Sequence, residues 1–116
     1  MRVIILEDDD WLADLLKRIV LSLRPSAHVI CRGSVSGALH EWQQCPADIV
    51  IADWNLPDGP GTRLLEQIRR DNSSIPLVMI TGRSDRASVM TVKALRISAF
   101  IGKPFQAAQV ASKLDA

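Results

Sequence analysis

Apolar residues along the chain gather into five short runs, at residues 3–6, 29–31, 49–52, 77–80 and 99–101, each three or four residues long and rich in β-branched types. Apolarity that is continuous rather than alternating predicts strands covered on both faces, as in a parallel sheet. Between the runs the spacing changes to a helical period. Leu12, Leu15, Leu16, Ile19, Val20 and Leu23 form one apolar stripe, about three turns long. Asp10 can cap this first helix, and Pro25 lies just past its end. Val35, Ala38, Leu39 and Trp42 repeat the pattern, with Ser34 as cap and Pro46 beyond. Leu64, Leu65 and Ile68 mark a third helix after the turn-rich stretch Leu56-Pro57-Asp58-Gly59-Pro60-Gly61. Val89, Val92 and Leu95 mark a fourth, capped by Ser84 or Asp85, and Ala107, Val110, Ala111 and Leu114 a fifth.

Strand and helix thus alternate five times. Short connections between them predict right-handed crossovers and an α/β fold, (βα)5: a doubly wound, five-stranded parallel sheet with helices on both faces. The length, 116 residues, suits one domain, and folding at this size removes roughly 65% of the extended chain's surface from water. One domain is expected over residues 1–116, whether it stands alone or forms the N-terminal part of a longer protein.

Charge and cysteine content narrow the setting. Fourteen Lys and Arg stand against thirteen Asp and Glu, a net charge of +1, so bulk charge gives no reason to expect direct binding to nucleic acid or an acidic membrane. Cys31 and Cys45 are far apart and in no CxxC pattern, which fits a reduced, cytoplasmic protein. The opening MRVIIL followed by four acids fits no signal peptide. No apolar run approaches the roughly 20 residues of a membrane-spanning helix.

In an open parallel sheet, ligands bind beyond the carboxyl ends of the strands, where the strand order reverses. Glu7 and Asp8 follow the first strand, Asp53 the third and Thr81 the fourth, and Lys103 comes two residues beyond the fifth. Asp9 and Asp10 have a local explanation as helix-terminal acids. Glu7 and Asp8 lie between a buried strand and that cap. Brought near Asp53, they would form a cluster of like charges that raise one another's pKa unless a cation neutralises them. Carboxylates, a backbone carbonyl and water are the donors that Mg²⁺ accepts. A carboxylate beside such an ion can attack a phosphoryl group to give an aspartyl phosphate. That chemistry needs mainly positioning and charge neutralisation, which Lys103, Thr81 and the backbone N–H of Gly82 can supply.

The segments VIILEDDDWLADLL, DIVIADWNLPDGPG, PLVMITGR and AFIGKPF resemble, in order and separation, the four signatures of the bacterial two-component response-regulator receiver domain, the CheY-like superfamily. The resemblance covers essentially the whole chain and implies a flavodoxin-like strand order 2-1-3-4-5. It implies that Asp53 is the phosphoacceptor, that Glu7, Asp8, Asp53 and the carbonyl of Asn55 hold Mg²⁺ or Mn²⁺, and that Lys103 pairs with the phosphate. Thr81 and Phe100 become the switch pair: the hydroxyl turns toward the phosphoryl group, and the ring fills the vacated space. The face of the fourth helix, fifth strand and fifth helix is remodelled in consequence. Pro104 stands where the family has a cis Lys-Pro bond. The implied donor is a sensor histidine kinase or a histidine phosphotransfer protein, and the implied target an output domain or downstream protein. On this reading the chain is a signalling phosphoacceptor rather than an enzyme with a separate substrate.

Two features depart from the family pattern. Arg96 replaces the usual glycine at the end of the fourth helix, which disfavours the left-handed cap and predicts a differently shaped corner. The acidic pair often found before the switch aromatic is missing, which argues against the symmetric dimer that DNA-binding regulators form through that face; a homodimer of another geometry is still allowed. By analogy, Asn55 and Arg83 flank the path of the hydrolytic water. Trp11 and Trp54 are expected near the rim of the site, Trp11 mainly for packing and Trp54 either for packing or for a partner. His28 and His40 lack metal-ligand spacing, and the two cysteines read as small core or surface groups. Two rival functions use the same residues. A phosphatase with an aspartyl-phosphate intermediate needs a general acid where Asn55 stands. A binding module indifferent to phosphorylation would have no use for the full set of acids, hydroxyl and amine.

Overall fold

The structure is a computed structural model that describes residues 1–82, 90–91 and 93–115. Five parallel strands, β1 (Arg2–Leu6), β2 (His28–Arg32), β3 (Ile49–Asp53), β4 (Leu77–Thr81) and β5 (Ala99–Gly102), form one sheet in the order β2-β1-β3-β4-β5. The predicted doubly wound α/β architecture is therefore the observed one. The register is continuous: Leu6 pairs with Ala52, Asp53 with Ile80, and Thr81 with Gly102. The order reverses between β1 and β3, so the carboxyl ends of those two strands flank the crevice.

Alternate strand residues feed two separate cores, because successive side chains point to opposite faces. Ile4, Leu6, Val50, Ala52, Leu77 and Met79 pack against helices α2 (Val35–Gln44) and α3 (Thr62–Asp71) through Val35, Ala38, Trp42, Leu64, Leu65 and Ile68. Val3, Ile5, Ile51, Val78, Ile80 and Ile101 pack against α1 (Asp10–Leu23) and the C-terminal helix (Ala107–Asp115) through Leu16, Ile19, Val20 and Val110. Each such fully buried aliphatic side chain contributes about 1.5–3 kcal/mol. Truncating Ile68 to alanine would cost about 2–5 kcal/mol.

Helix ends follow local chemistry, with one shift from the sequence expectation. The cap of α1 is Asp9 rather than Asp10: its carboxylate accepts from the backbone N–H of Trp11 and Leu12 at 2.9 and 3.1 Å. The strand ends early enough that Asp9 takes the extended cap conformation, and Asp10 becomes the first helical residue, near the positive end of the helix dipole. Ser34 caps α2 as expected, accepting from Gly37 N–H at 3.1 Å. The expected fourth-helix residues Val89 and Val92, its cap candidates Ser84 and Asp85, and Arg83 lie outside the described residues. Met90, Thr91, Lys93 and Ala94 are helical.

The corner at Arg96 corrects another expectation. The left-handed conformation survives without glycine: Arg96 has φ 52°. Its physical support is Arg69, whose guanidinium donates to the carbonyls of Leu95 (2.8 Å), Arg96 (2.9 Å) and Ile75 (2.8 Å). Bonds from a charged donor to backbone carbonyls offset the steric cost of a Cβ in that region. The turn-rich stretch also contains an element that the apolar pattern does not signal, an antiparallel ladder of Asn55–Leu56 against Gly59–Pro60. Gly59 has φ 143° there, which an L side chain rarely adopts.

Candidate functional site

Ladder bonds carry the chain past the strand ends and into the crevice. Glu7 N–H donates to the Arg32 carbonyl at 3.0 Å, and Lys103 N–H to the Thr81 carbonyl at 2.9 Å. Each adds one residue of parallel pairing and so fixes where the Glu7 and Lys103 side chains leave the sheet. Asp53 is the last residue of β3, only 8% exposed. One of its carboxylate oxygens accepts from the N–H of Trp54 at 2.7 Å. Its other oxygen accepts from the Lys103 amine at 3.0 Å, and the same amine donates to Glu7 at 3.0 Å. One ammonium group thus bridges two buried carboxylates from different strands.

Among the described residues, the cluster is short of positive charge. Glu7 is 4% exposed, and its second oxygen, Oε2, is buried with no hydrogen-bond partner. Burial, followed by hydrogen bonding with Asp53, pushes the Glu7 carboxyl up to about 7 against the opposing pull of Lys103. Burial pulls the Lys103 amine down, but the hydrogen bonds and charges of Glu7 and Asp53 outweigh it, so the amine is raised. Asp8 is exposed at the mouth. One carboxylate oxygen from each of Glu7, Asp8 and Asp53 lies within 4.8 Å of the other two. An all-oxygen donor set with an orphaned carboxylate oxygen fits a hard divalent cation such as Mg²⁺, which favours carboxylate, carbonyl and water ligands.

Thr81 is 1% exposed at the end of β4, with Gly82 exposed beyond it. Phe100 pairs with Met79 in the β4–β5 register and is half-buried against the α2–α3 core, where Leu95 and Ile97 also pack. The Lys103–Pro104 peptide bond is cis. Asn55 is exposed in the short ladder after β3. The two tryptophans part company. Trp54 is 6% exposed within the α2–α3 core, so it packs rather than offering itself to a partner. Trp11, expected mainly to pack, is instead 72% exposed in the first turn of α1, away from the buried positions Ala13, Leu16, Ile19 and Val20. It borders an open groove with Leu12, Leu15, Lys103, Pro104 and Phe105. His28 and His40 are exposed, as is Cys45, while Cys31 is half-buried; the cysteines are unlinked.

Two residues of the site's frame escape a reading by strand ends. Gly61 lies so close to the Asp53 carbonyl oxygen that a Cβ would collide with it, and its N–H donates to the Trp54 carbonyl at 2.6 Å. Asp58 accepts from two backbone N–H groups of α2, Val35 at 2.8 Å and Ser36 at 3.0 Å. Both were visible in the sequence only as turn formers, and nothing in their spacing signals the long-range contact.

The chain matches the model of the response regulator receiver domain over residues 3–115. It is 32% identical over 114 residues to the sensory transduction protein RegX3 of Mycolicibacterium smegmatis, covering 98% of this chain and 49% of the relative. The chain therefore spans about half the length of that relative. Among solved structures, the non-phosphorylated HemR receiver domain of Leptospira biflexa superposes with a TM-score of 0.87 at 26% identity, covering 98% of this chain and 90% of that one. The chemotaxis response regulator CheY4 of Vibrio cholerae superposes with a TM-score of 0.86 at 19% identity, over 98% and 95% of the two chains, a likeness of fold. Among the described residues, no helix is long and apolar enough to cross a membrane.

Proposed function

This chain belongs to the response regulator receiver domain family, and from that premise we propose that it is a phosphoacceptor module whose Asp53 takes a phosphoryl group from the phosphohistidine of a sensor kinase or histidine phosphotransfer protein. The observation that carries the reading is the Lys103 amine bridging Asp53 and Glu7 at 3.0 Å each, beside an unpartnered buried oxygen of Glu7. Such a pocket is arranged for more positive charge, and then for phosphoryl oxygens, than one lysine can balance.

In the proposed step an oxygen of the ionised Asp53 attacks phosphorus while the phosphorus–nitrogen bond of the donor breaks. The imidazole leaves with the electron pair of that bond, and the product is an acyl phosphate on residue 53. Glu7, Asp8, Asp53 and the carbonyl of Asn55 would hold Mg²⁺, or Mn²⁺ in its place. The bound ion supplies neutralisation of charge on the phosphoryl oxygens. Lys103 supplies the second cation, and the Thr81 hydroxyl and Gly82 N–H donate to the remaining oxygens. Hydrolysis of the acyl phosphate in the same pocket would end the signal.

The output is proposed to run through Thr81 and Phe100. Phosphorylation adds about two negative charges and three acceptor oxygens. Thr81 turns toward them, and the Phe100 ring moves into the space it leaves. The surface made by the helical stretch before Leu95, β5 and the C-terminal helix changes shape, and an output domain or downstream protein reads it. Phe100 has no hydroxyl, so the ring acts by position alone.

Incubation with acetyl phosphate and Mg²⁺ tests this reading. Wild-type protein should gain one phosphoryl group by intact mass, and Asp53→Asn none. Uptake by the asparagine variant would refute the assignment, and steady turnover of simple phosphomonoesters would favour a phosphatase instead.

A further inference from the structure

Helix α2 has an unusual start: its first three backbone N–H groups are all satisfied, but only one of them locally. Gly37 N–H is taken by Ser34, the helix's own cap. Val35 and Ser36 N–H are both taken by the carboxylate of Asp58, more than twenty residues further on, in the loop that begins at the acceptor. The two backbone donors, Ser36 first and then Val35, hold the Asp58 carboxyl below the ordinary range for aspartate.

The turn before that cap is tied to the other side of the pocket: the carbonyl of Arg32, the last residue of β2, accepts from the Glu7 N–H at 3.0 Å. A Cβ built on Gly33 would lie 3.6 Å from the Asp8 Cα and 3.8 Å from the Glu7 carbonyl oxygen, within ordinary contact. The β2–α2 turn therefore starts from a backbone bond to Glu7 and faces the Glu7–Asp8 backbone at Gly33, while its helix end is gripped by Asp58. At the far end of the acceptor loop, Gly61 is pressed against the Asp53 carbonyl and bonded to Trp54. The loop is pinned at 61 and at 58, and the second pin reaches across to the support of the acidic pair.

We infer that Asp58 is a positioning residue for the cation site: it straps the acceptor loop to the turn that braces Glu7 and Asp8, and so holds the oxygen donors of β1 and those of β3 at a fixed separation. The inference rests on the proposed phosphoacceptor reading, because it concerns the cation that reading requires. A serine or asparagine within the β2–α2 turn could cap the helix equally well. Only a residue from the acceptor loop can also couple the two strand ends. Groups that orient metal ligands from behind, without touching the metal, commonly govern affinity as well as geometry.

The experiment compares two ways of uncapping the same helix. Asp58→Ala removes the strap; Ser34→Ala removes the local cap and leaves the strap in place. Mg²⁺ is titrated into each full chain and followed by tryptophan fluorescence, with Trp54 adjacent to Asp53 as reporter, and metal-free melting temperatures are recorded alongside. Both variants should melt somewhat below wild type. Asp58→Ala should raise the Mg²⁺ dissociation constant roughly tenfold, in line with loss of an outer-shell partner, whereas Ser34→Ala should leave it nearly unchanged. Asp58→Asn, which keeps one acceptor oxygen, should fall between wild type and Asp58→Ala. Equal weakening by the two alanine variants, or none by Asp58→Ala, would overturn the strap while leaving the phosphoacceptor reading intact. Wild-type protein that binds no Mg²⁺ would overturn both.

Discussion

Two cationic side chains stand at opposite ends of β4 and β5. Beyond their carboxyl ends, the Lys103 amine lies between Glu7 and Asp53, each 3.0 Å away. Before their amino ends, the Arg69 guanidinium donates to the carbonyls of Ile75, Leu95 and Arg96 at 2.8–2.9 Å. The lysine faces ionisable partners and leaves a buried carboxylate oxygen unpaired; the arginine faces neutral carbonyls and closes a corner. A fixed fork of donors suits the second task, and a compact charge on a flexible stem suits the first. Unbalanced charge stands at the end of the sheet where a cation is proposed to bind, and satisfied charge stands at the end where the arginine closes a corner.

The contrast can be broken by exchanging what each cation is asked to do. Lys103→Ala should slow phosphoryl uptake from acetyl phosphate by about 10²–10³-fold, the usual loss when one charge-stabilising donor leaves a reacting group. A loss below about threefold would place Lys103 with the structural cations. Arg69→Ala should do the reverse. It should destabilise by about 2 kcal/mol through lost charged hydrogen bonds, lowering the melting temperature by roughly 8 °C, with uptake rates close to wild type when assayed well below melting.

Acidity sharpens the comparison. The Glu7 carboxyl lies at about 7 in the folded protein against 4.5 for the free side chain. The folded state therefore binds this proton more tightly than the unfolded chain. Its contribution to stability is fully present below about 4.5 and is lost as pH rises through about 7. The stability difference between metal-free wild type and Glu7→Gln, measured by denaturant titration across that window, should move against the wild type as pH increases. Mg²⁺ must displace the same proton, so its apparent affinity should weaken below about pH 7. A pH-independent difference would mean that Glu7 is not desolvated as described. Arg96→Gly should have the smallest effect. Relief of a left-handed non-glycine residue gains about 1–2 kcal/mol, of which about 0.4–1 returns to the unfolded chain as glycine's extra freedom. The net change should be a slight rise in melting temperature.

The same contrast explains what the sequence could and could not disclose. Strands buried on both faces write themselves as unbroken β-branched runs, so the parallel sheet was legible, while its strand order came only from the family resemblance, and strand ends are fixed by where those runs stop. Glu7, Asp8, Asp53, Thr81 and Lys103 follow directly from that register. Long-range polar contacts leave no period. Asp58 reads as a turn residue until its carboxylate is found on α2, and nothing in the apolar pattern singles out Arg69, whose guanidinium reaches the carbonyls of Ile75, Leu95 and Arg96. Arg96 misled for the same reason, since the loss of glycine is visible locally while the arginine that compensates for it lies elsewhere in the chain. The Asp9 cap, displaced by one from Asp10, shows the finer limit: within a run of acids, the strand's last ladder bond decides which one turns the corner.

The most direct measurement is chemical mapping of the phosphorylated residue. Protein treated with acetyl phosphate and Mg²⁺ is reduced with borohydride, which converts an aspartyl phosphate to homoserine, and its peptides are sequenced by mass spectrometry. The account predicts homoserine at position 53 alone, lost when Mg²⁺ is chelated before the phosphodonor is added. Homoserine at Asp8 or another acid, or unmodified Asp53 in protein that has taken up phosphate, would contradict it.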